Sequence, residues 1–156
     1  MAILDVPRVA PVAVSQSRKR KPGEAMRERE RRLTYAGLTA AIIGAGLLCR
    51  LPALGLPGLV AKYAGSALWG AMVYSGLRAI FPRAAVSGAA TAAVAIAIFV
   101  ELSRLYHQPA LDAFRATLAG RLLLGRIFSL WNVAAYAIGI VGVAFADRSV
   151  PHTRKR

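Results

Sequence analysis

Four long apolar runs, separated by short polar breaks, constrain the fold of this chain more than any other feature of its sequence. The runs cover residues 33–49, 63–81, 84–105 and 127–146. A helix rises about 1.5 Å per residue, so runs of this length extend over about 25–33 Å, the thickness of a bilayer's hydrocarbon core. The mean hydropathy of +0.48 is high for a water-soluble domain. The sequence therefore predicts an all-α fold, a polytopic membrane helix bundle with four transmembrane helices.

The charged residues lie mainly outside these runs, and their positions predict that the chain divides into three parts. Residues 1–32 are interpreted as a basic cytoplasmic arm, partly disordered because its first portion contains several prolines and lacks helical periodicity. Residues 24–32 alternate Glu and Arg at spacings that permit pairing on a helix, so this end of the arm should lead helically into the first span. Residues 33–147 form the four-helix domain, and residues 148–156 form a basic cytoplasmic tail.

The distribution of the 21 basic residues predicts the orientation in the membrane. With the N-terminus inside, the basic arm, Arg78, Arg83 and the basic tail all lie on the cytoplasmic side. They outnumber the basic residues of the other face, as the positive-inside rule requires. We therefore expect a multi-pass protein of the cytoplasmic membrane with both termini in the cytoplasm.

The net charge of +14 also invites a nucleic-acid interpretation, because an arginine-rich arm can bind phosphates. Residues 1–32 offer no folded element that would enter a groove of DNA, however. Basic residues beside a first membrane helix ordinarily contact anionic lipid. The expected partners are therefore membrane lipids, with anionic lipids favoured, and not nucleic acid.

A polar segment follows the third apolar run at its predicted outer end. Glu101 and Arg104 are three residues apart, so the arginine can neutralise a carboxylate that would otherwise be costly in a membrane. Asp112 and Arg115 repeat the spacing. Apolar residues at helical spacing around them predict a short amphipathic or re-entrant helix on the outer surface, ended by Gly120.

This outer segment has two interpretations. In the functional one it forms a polar pocket with candidate acid–base groups and candidate anion-binding groups. The candidate acid–base groups are Glu101, His107 and Asp112, and the candidate ligand-binding residues are Arg50, Arg104, Tyr106, Arg115 and Arg126. In the structural one, paired charges hold a re-entrant loop and satisfy its backbone. No zinc-ligand spacing and no phosphate-binding glycine motif is present, so no metal and no cofactor is expected.

The same region carries a resemblance to a known family. It rests on the run 101–107, which reads Glu-Leu-Ser-Arg-Leu-Tyr-His, and on segments 67–74, 111–117, 124–129 and 136–139. These resemble the small bacterial membrane family catalogued as domain of unknown function 2809, and the layout is similar to the wider VanZ-like group. The resemblance implies a bacterial inner-membrane helical fold with no established reaction. It also implies roles for Glu101, Tyr106, His107, Asp112, Arg115 and Gly139.

The chain departs from the family pattern at two positions. Ser66 and Asn132 stand where the resemblance leads us to expect acidic residues. Without those carboxylates the outer arginines are less neutralised, which favours contact with an anion over binding of a cation.

Three functional hypotheses follow. The first is a binding protein that engages an anionic lipid or a lipid-linked envelope precursor at the outer leaflet. The second is a structural or accessory subunit of a homo-oligomer or a larger membrane complex, which the many small residues of the spans would suit. The third is an intramembrane hydrolase or transferase that uses Glu101 and His107. A non-enzymatic role is favoured, because no catalytic arrangement can be argued from spacing alone.

Overall fold

The computed structural model describes residues 22–125 and 128–149, and these residues form an all-helical fold without strands. The predicted all-α class is thus confirmed. The helices are α1 (Pro22–Leu48), α2 (Gly58–Ile80), α3 (Val86–Ser103), α4 (Pro109–Ala116), α5 (Leu118–Leu123) and α6 (Leu130–Ser149). The predictions made for residues 1–21, for Arg126 and for residues 150–156 lie outside the described residues.

Prolines mark several of the helix boundaries. Pro57 lies just before α2, and Pro82 follows its C-terminal cap, where the N–H of Phe81 donates to the carbonyl oxygen of Leu77. Pro109 is the first residue of α4, a position where its missing N–H has no cost. The breaks between the apolar runs were therefore correctly predicted from the sequence.

Three helices extend beyond the apolar runs, because charged residues next to these runs are also helical. α1 begins at Pro22, so the predicted helical extension at residues 24–32 is confirmed. α2 begins at Gly58, five residues before the apolar run, and its first turns include the charged residue Lys62. α6 continues past residue 146 because Asp147 is buried inside the bundle, not exposed in the tail.

The outer segment contains two short helices where one was predicted. α4 is amphipathic as expected, but it ends at Ala116 and not at Gly120. The hydroxyl of Thr117 accepts a hydrogen bond from the N–H of Gly120 and caps a second helix, α5. Gly120 lies inside α5, where a Cβ would overlap the backbone of Phe114. The glycine is therefore needed for close packing of α5 on α4, and it does not stop a helix.

The four long helices α1, α2, α3 and α6 form the bundle, in which neighbours along the chain alternate in direction. α2 packs against all three of the others, and α6 packs against α2 and α3. The alanine-rich α3 packs with one face against α2 and α6 and contributes to the hydrophobic core. Ala89, Ala93 and Ala97 bury one face of α3, but Ile98 and Phe99 point away from the bundle.

Two glycines allow α2 and α6 to approach closely. A Cβ at Gly139 would overlap the carbonyl oxygen of Ala67, and a Cβ at Gly70 would overlap the backbone of Tyr136. Small residues at such contacts are the usual basis of helix packing in membranes, where apolar burial alone gives no preference for protein over lipid.

We expect Gly139→Ala to destabilise the folded protein by about 1–3 kcal/mol, the usual cost of overpacking a tight contact. Its matched control is Gly142→Ala on the same helix, because a Cβ at Gly142 meets no atom within 4 Å. The control should be neutral or stabilising by up to about 1 kcal/mol, since alanine is the better helix former. Thermal unfolding in detergent micelles measures both. Equal melting temperatures for the two variants would contradict the close α2–α6 contact.

Among the described helices, two are long and apolar enough to cross a membrane. They are α3, over Val86–Ser103, and α6, over Leu130–Ser149. α1 contains charged residues in its first third, and α2 includes Lys62 and Arg78. The chain thus has two candidate membrane spans by length and composition.

Candidate functional site

Glu101 is the centre of a buried polar cluster at one end of the bundle. Its Oε1 accepts hydrogen bonds from the N–H of Ser129 at 2.7 Å and from Nδ2 of Asn132 at 3.2 Å. Its Oε2 accepts from the hydroxyl of Tyr136 at 3.0 Å and pairs with Nη1 of Arg104 at 2.6 Å. The carboxylate is fully enclosed, and four donors satisfy it. It joins the end of α3 to the start of α6.

Arg104 extends this cluster toward the outer segment. Its Nη2 donates to the Tyr136 hydroxyl at 2.8 Å, and its Nε donates to the carbonyl oxygen of Leu124 at 2.5 Å. The chain passes so close that a Cβ at Gly125 would lie 2.5 Å from Nη2, and Gly125 itself has a φ of +68°. A glycine is thus required at this position for two reasons. Arg104 fixes the end of α5 to the bundle.

Arg115 lies beneath α4, where it satisfies the C-terminal carbonyl groups of α3. Its Nη2 donates to the carbonyl oxygen of Ser103 at 2.5 Å, and its Nη1 donates to that of Tyr106 at 2.9 Å. Nη1 also lies 3.2 Å from the carboxylate of Asp112, so the predicted i,i+3 pair forms. These contacts anchor α4 to the end of α3.

The other predicted site residues of the outer segment lie at the surface. The Nδ1 of His107 is 3.5 Å from Oδ2 of Asp112, and 69% of the histidine side chain is exposed. Tyr106 is also exposed. The structure therefore brings His107 to Asp112, while Glu101 has the different set of partners given above. Within residues 22–125 and 128–149, no group of three or more His, Cys, Asp or Glu could hold a metal ion.

Beside the Glu101 cluster is a cavity of about 350 Å³, which we call the cationic cavity. Its basic lining residues are Arg50, Lys62, Arg104 and Arg121, and its neutral polar lining residues are Ser66, Trp69, Asn132 and Tyr136. No carboxylate lines it among the described residues. Arg104 is paired with Glu101, but Arg50, Lys62 and Arg121 make no ion pair with any described residue. The cavity therefore has an excess of positive charge.

Ser66 and Asn132, where the resemblance led us to expect acidic residues, meet in this cavity. The Oγ of Ser66 lies 3.4 Å from Oδ1 of Asn132. Carboxylates at these positions would face the basic lining residues directly. With a hydroxyl and an amide there instead, the basic groups stay available to an anion.

An apolar groove of about 270 Å³ adjoins the cationic cavity. Its apolar lining is supplied by α1, α2 and α5, and it includes Ile42, Ile43, Leu47, Leu68, Met72 and Leu123. The groove and the cavity share Arg50, Gly65, Trp69 and Leu122. A charged compartment and an apolar compartment therefore lie side by side.

Arg50 and Arg104, predicted as ligand-binding residues, line this cavity, while Lys62, Trp69 and Arg121 were not among the predicted site residues. A signal for two of them was present, because Lys62, Ser66 and Trp69 recur at the spacing of one helix face. Arg121 directly follows Gly120, where the sequence predicted the end of a helix, so its position inside α5 was not expected. Arg126, also predicted, lies outside the described residues.

A second buried polar cluster lies at the opposite end of the bundle. Asp147 of α6 pairs with Nε of Arg78 at 2.9 Å and accepts hydrogen bonds from the hydroxyls of Tyr74, at 2.6 Å, and Tyr35. The guanidinium also donates to the Tyr35 hydroxyl at 3.1 Å and to the carbonyl oxygen of Ala84. We interpreted Arg78 as a basic anchor of the inner face, but it is buried, with 1% exposure. This cluster fastens α1, α2 and α6 together.

One comparison with known proteins bears on identity. A family model described as a protein of unknown function, DUF2809, matches residues 55–140. The match begins just before α2 and ends within α6, so it includes the Glu101 cluster and most of the cationic cavity. No solved structure matches the chain.

Proposed function

Because the chain belongs to the DUF2809 family of proteins of unknown function, we propose its activity from the site itself: it is a multi-pass membrane protein that binds an amphiphile with an anionic head. The observation that carries this proposal is that the cationic cavity lies directly beside the apolar groove. An amphiphile needs one compartment for its charge and one for its hydrocarbon, and the two compartments here share four lining residues.

Four spans are proposed from the outward-facing side chains and the buried charges. Phe99 on α3 and Trp131, Ile138 and Phe145 on α6 are each more than 70% exposed, which suits contact with lipid. α1 and α2 have 27 and 23 residues, enough to cross a hydrocarbon core. Within α2, Arg78 is buried and paired, so its charge does not face lipid. The alternating helices would then leave both termini on one side, and we propose that this side is the cytoplasm, because basic residues favour that side of a membrane.

The head is proposed to occupy the cationic cavity. Arg50, Lys62 and Arg121 reach it from α1's end, α2 and α5, and no described lining residue offers a carboxylate to neutralise them. Charge-assisted hydrogen bonds from such groups are stronger than neutral ones. The topology proposed above places this end of the bundle at the outer leaflet.

The hydrocarbon chain is proposed to lie in the apolar groove. Leu47, Leu68 and Met72 form part of its walls, and Trp69 lies where the groove meets the cavity. Apolar ligand surface gains about 25 cal/mol per Å² when it leaves water. In a bilayer, the surrounding lipid already keeps the hydrocarbon chain out of water. We therefore expect the charged head group, and not the chain, to determine which lipid binds.

The hydrolase or transferase hypothesis is less well supported by this arrangement. Four donors engage both oxygens of Glu101, and His107 pairs with Asp112 at the surface instead. The hypothesis of an accessory subunit or a homo-oligomer stays a prediction.

We expect Arg121→Gln to reduce co-purified anionic lipid about tenfold, because one charge-assisted hydrogen bond contributes about 1.5 kcal/mol or more. Lys62→Gln should act in the same direction. The matched control is Arg148→Gln, which removes one exposed positive charge at the opposite end of the bundle. Lipid extracted from the purified full chain is quantified by mass spectrometry. Equal anionic lipid in all three variants and the unaltered chain would overturn the proposal.

A further inference from the structure

The charges around the cationic cavity do not balance, and this imbalance restricts the ligand. Arg104 and Glu101 neutralise each other at 2.6 Å. Three cationic side chains remain, Arg50, Lys62 and Arg121, and they face one cavity of about 350 Å³. All three side chains are solvent-exposed, and like charges that line one cavity repel one another. A head with a single negative charge would leave most of that repulsion in place.

The groups around the cavity that lack a hydrogen-bond partner among the described residues are also of one kind, although the Lys62 ammonium lies 5.2 Å from the centre of the Tyr63 ring. Arg50, Lys62 and Arg121 form no side-chain hydrogen bond with the described residues, and the enclosed Nε1–H of Trp69 has no acceptor among them. All four are donors. The lining acceptors are already engaged, since Oδ1 of Asn132 faces Ser66 and the Tyr136 hydroxyl bridges Arg104 and Glu101. A head rich in acceptors and poor in donors complements this set.

Common lipid head groups differ in their charge and in their balance of hydrogen-bond donors and acceptors. A phosphodiester carries one negative charge, and a zwitterionic head adds an ammonium group that would need a carboxylate among the lining residues. A phosphomonoester carries about −1.5 to −2 at neutral pH and offers three terminal oxygens as acceptors. A diphosphate carries more negative charge and more acceptor oxygens.

Resting on the proposed function, we infer that the cationic cavity selects a phosphomonoester or diphosphate head over a phosphodiester head. The selectivity comes from Arg50, Lys62 and Arg121 acting together on one group of oxygens. The adjoining groove then holds the chain that links the head to the membrane.

The test compares lipids that differ only in the head. Full-length protein in micelles is titrated with phosphatidic acid and with phosphatidylglycerol of the same acyl chains, and binding is followed by the fluorescence of Trp69. Trp131→Phe removes the other tryptophan, which lies on the exposed side of α6. Phosphatidic acid should bind at least tenfold more tightly. The double variant Lys62→Gln/Arg121→Gln should bring the two affinities within about threefold, while Arg148→Gln preserves the difference.

The outcomes separate this inference from the function on which it rests. Equal binding of both lipids, weakened equally in the double variant, would overturn the head-group inference and leave the amphiphile proposal standing. Binding of neither lipid would overturn both. Free pyrophosphate is the third probe, and it should bind at least tenfold more weakly than phosphatidic acid. Equal affinity for pyrophosphate would retain the phosphate chemistry and overturn the role of the groove.

Discussion

Asp147→Asn is expected to destabilise the folded protein by about 3–5 kcal/mol, the usual cost of removing one partner from a buried ion pair. The change leaves the Arg78 guanidinium buried without a countercharge, and it weakens the contacts of Asp147 with Tyr35 and Tyr74. Because this cluster joins α1, α2 and α6, the loss should affect the whole bundle. Thermal unfolding in micelles and the amount of protein accumulated in membranes measure it.

Two further variants make this result specific. Arg148→Gln alters the adjacent but exposed residue and should change stability by less than about 1 kcal/mol. The double variant Arg78→Met/Asp147→Leu should be more stable than Asp147→Asn alone, since an uncompensated buried charge costs more than an apolar replacement of both partners. An Asp147→Asn protein as stable as Arg148→Gln would show that the pair is not buried in the folded state.

Glu101→Gln is expected to have a comparable cost of about 3–5 kcal/mol, because it leaves Arg104 without its carboxylate. Arg104 also holds the carbonyl oxygen of Leu124, so the variant should loosen the end of α5. Protease sensitivity in the outer segment should therefore increase before the whole bundle unfolds. Stability and limited proteolysis measure the two effects separately.

The matched control for Glu101→Gln is Asp112→Asn. Asp112 also precedes an arginine by three residues, but 43% of its side chain is exposed, and such pairs contribute about 1 kcal/mol or less. Lipid retention gives a further distinction. Because Glu101→Gln adds unneutralised positive charge to the cationic cavity, the anionic lipid bound per folded molecule should be kept or increased. A stable Glu101→Gln protein that lost a cellular function would instead favour the hydrolase or transferase hypothesis.

Much of the local structure could be predicted from residue order, because it depends on near neighbours. Pro57, Pro82 and Pro109 lie at helix boundaries in the structure as they do in the pattern. The pairs Glu101–Arg104 and Asp112–Arg115 form because a separation of three residues places side chains on one helix face. The prediction failed at Gly120 because Thr117 has an extended backbone that ends α4, and its hydroxyl caps a second helix.

The sequence by itself determined the four long helices, their apolar character and the family. Only the tertiary structure decided which charges are buried and which are available. Arg78 and Arg121 have the same side chain, yet one is held by Asp147 from a distant helix and the other faces a cavity without a carboxylate among the described residues. The physical reason is that a charge's free energy depends on its neighbours in space, and packing of α2 between α1 and α6 brings those neighbours together across long stretches of chain.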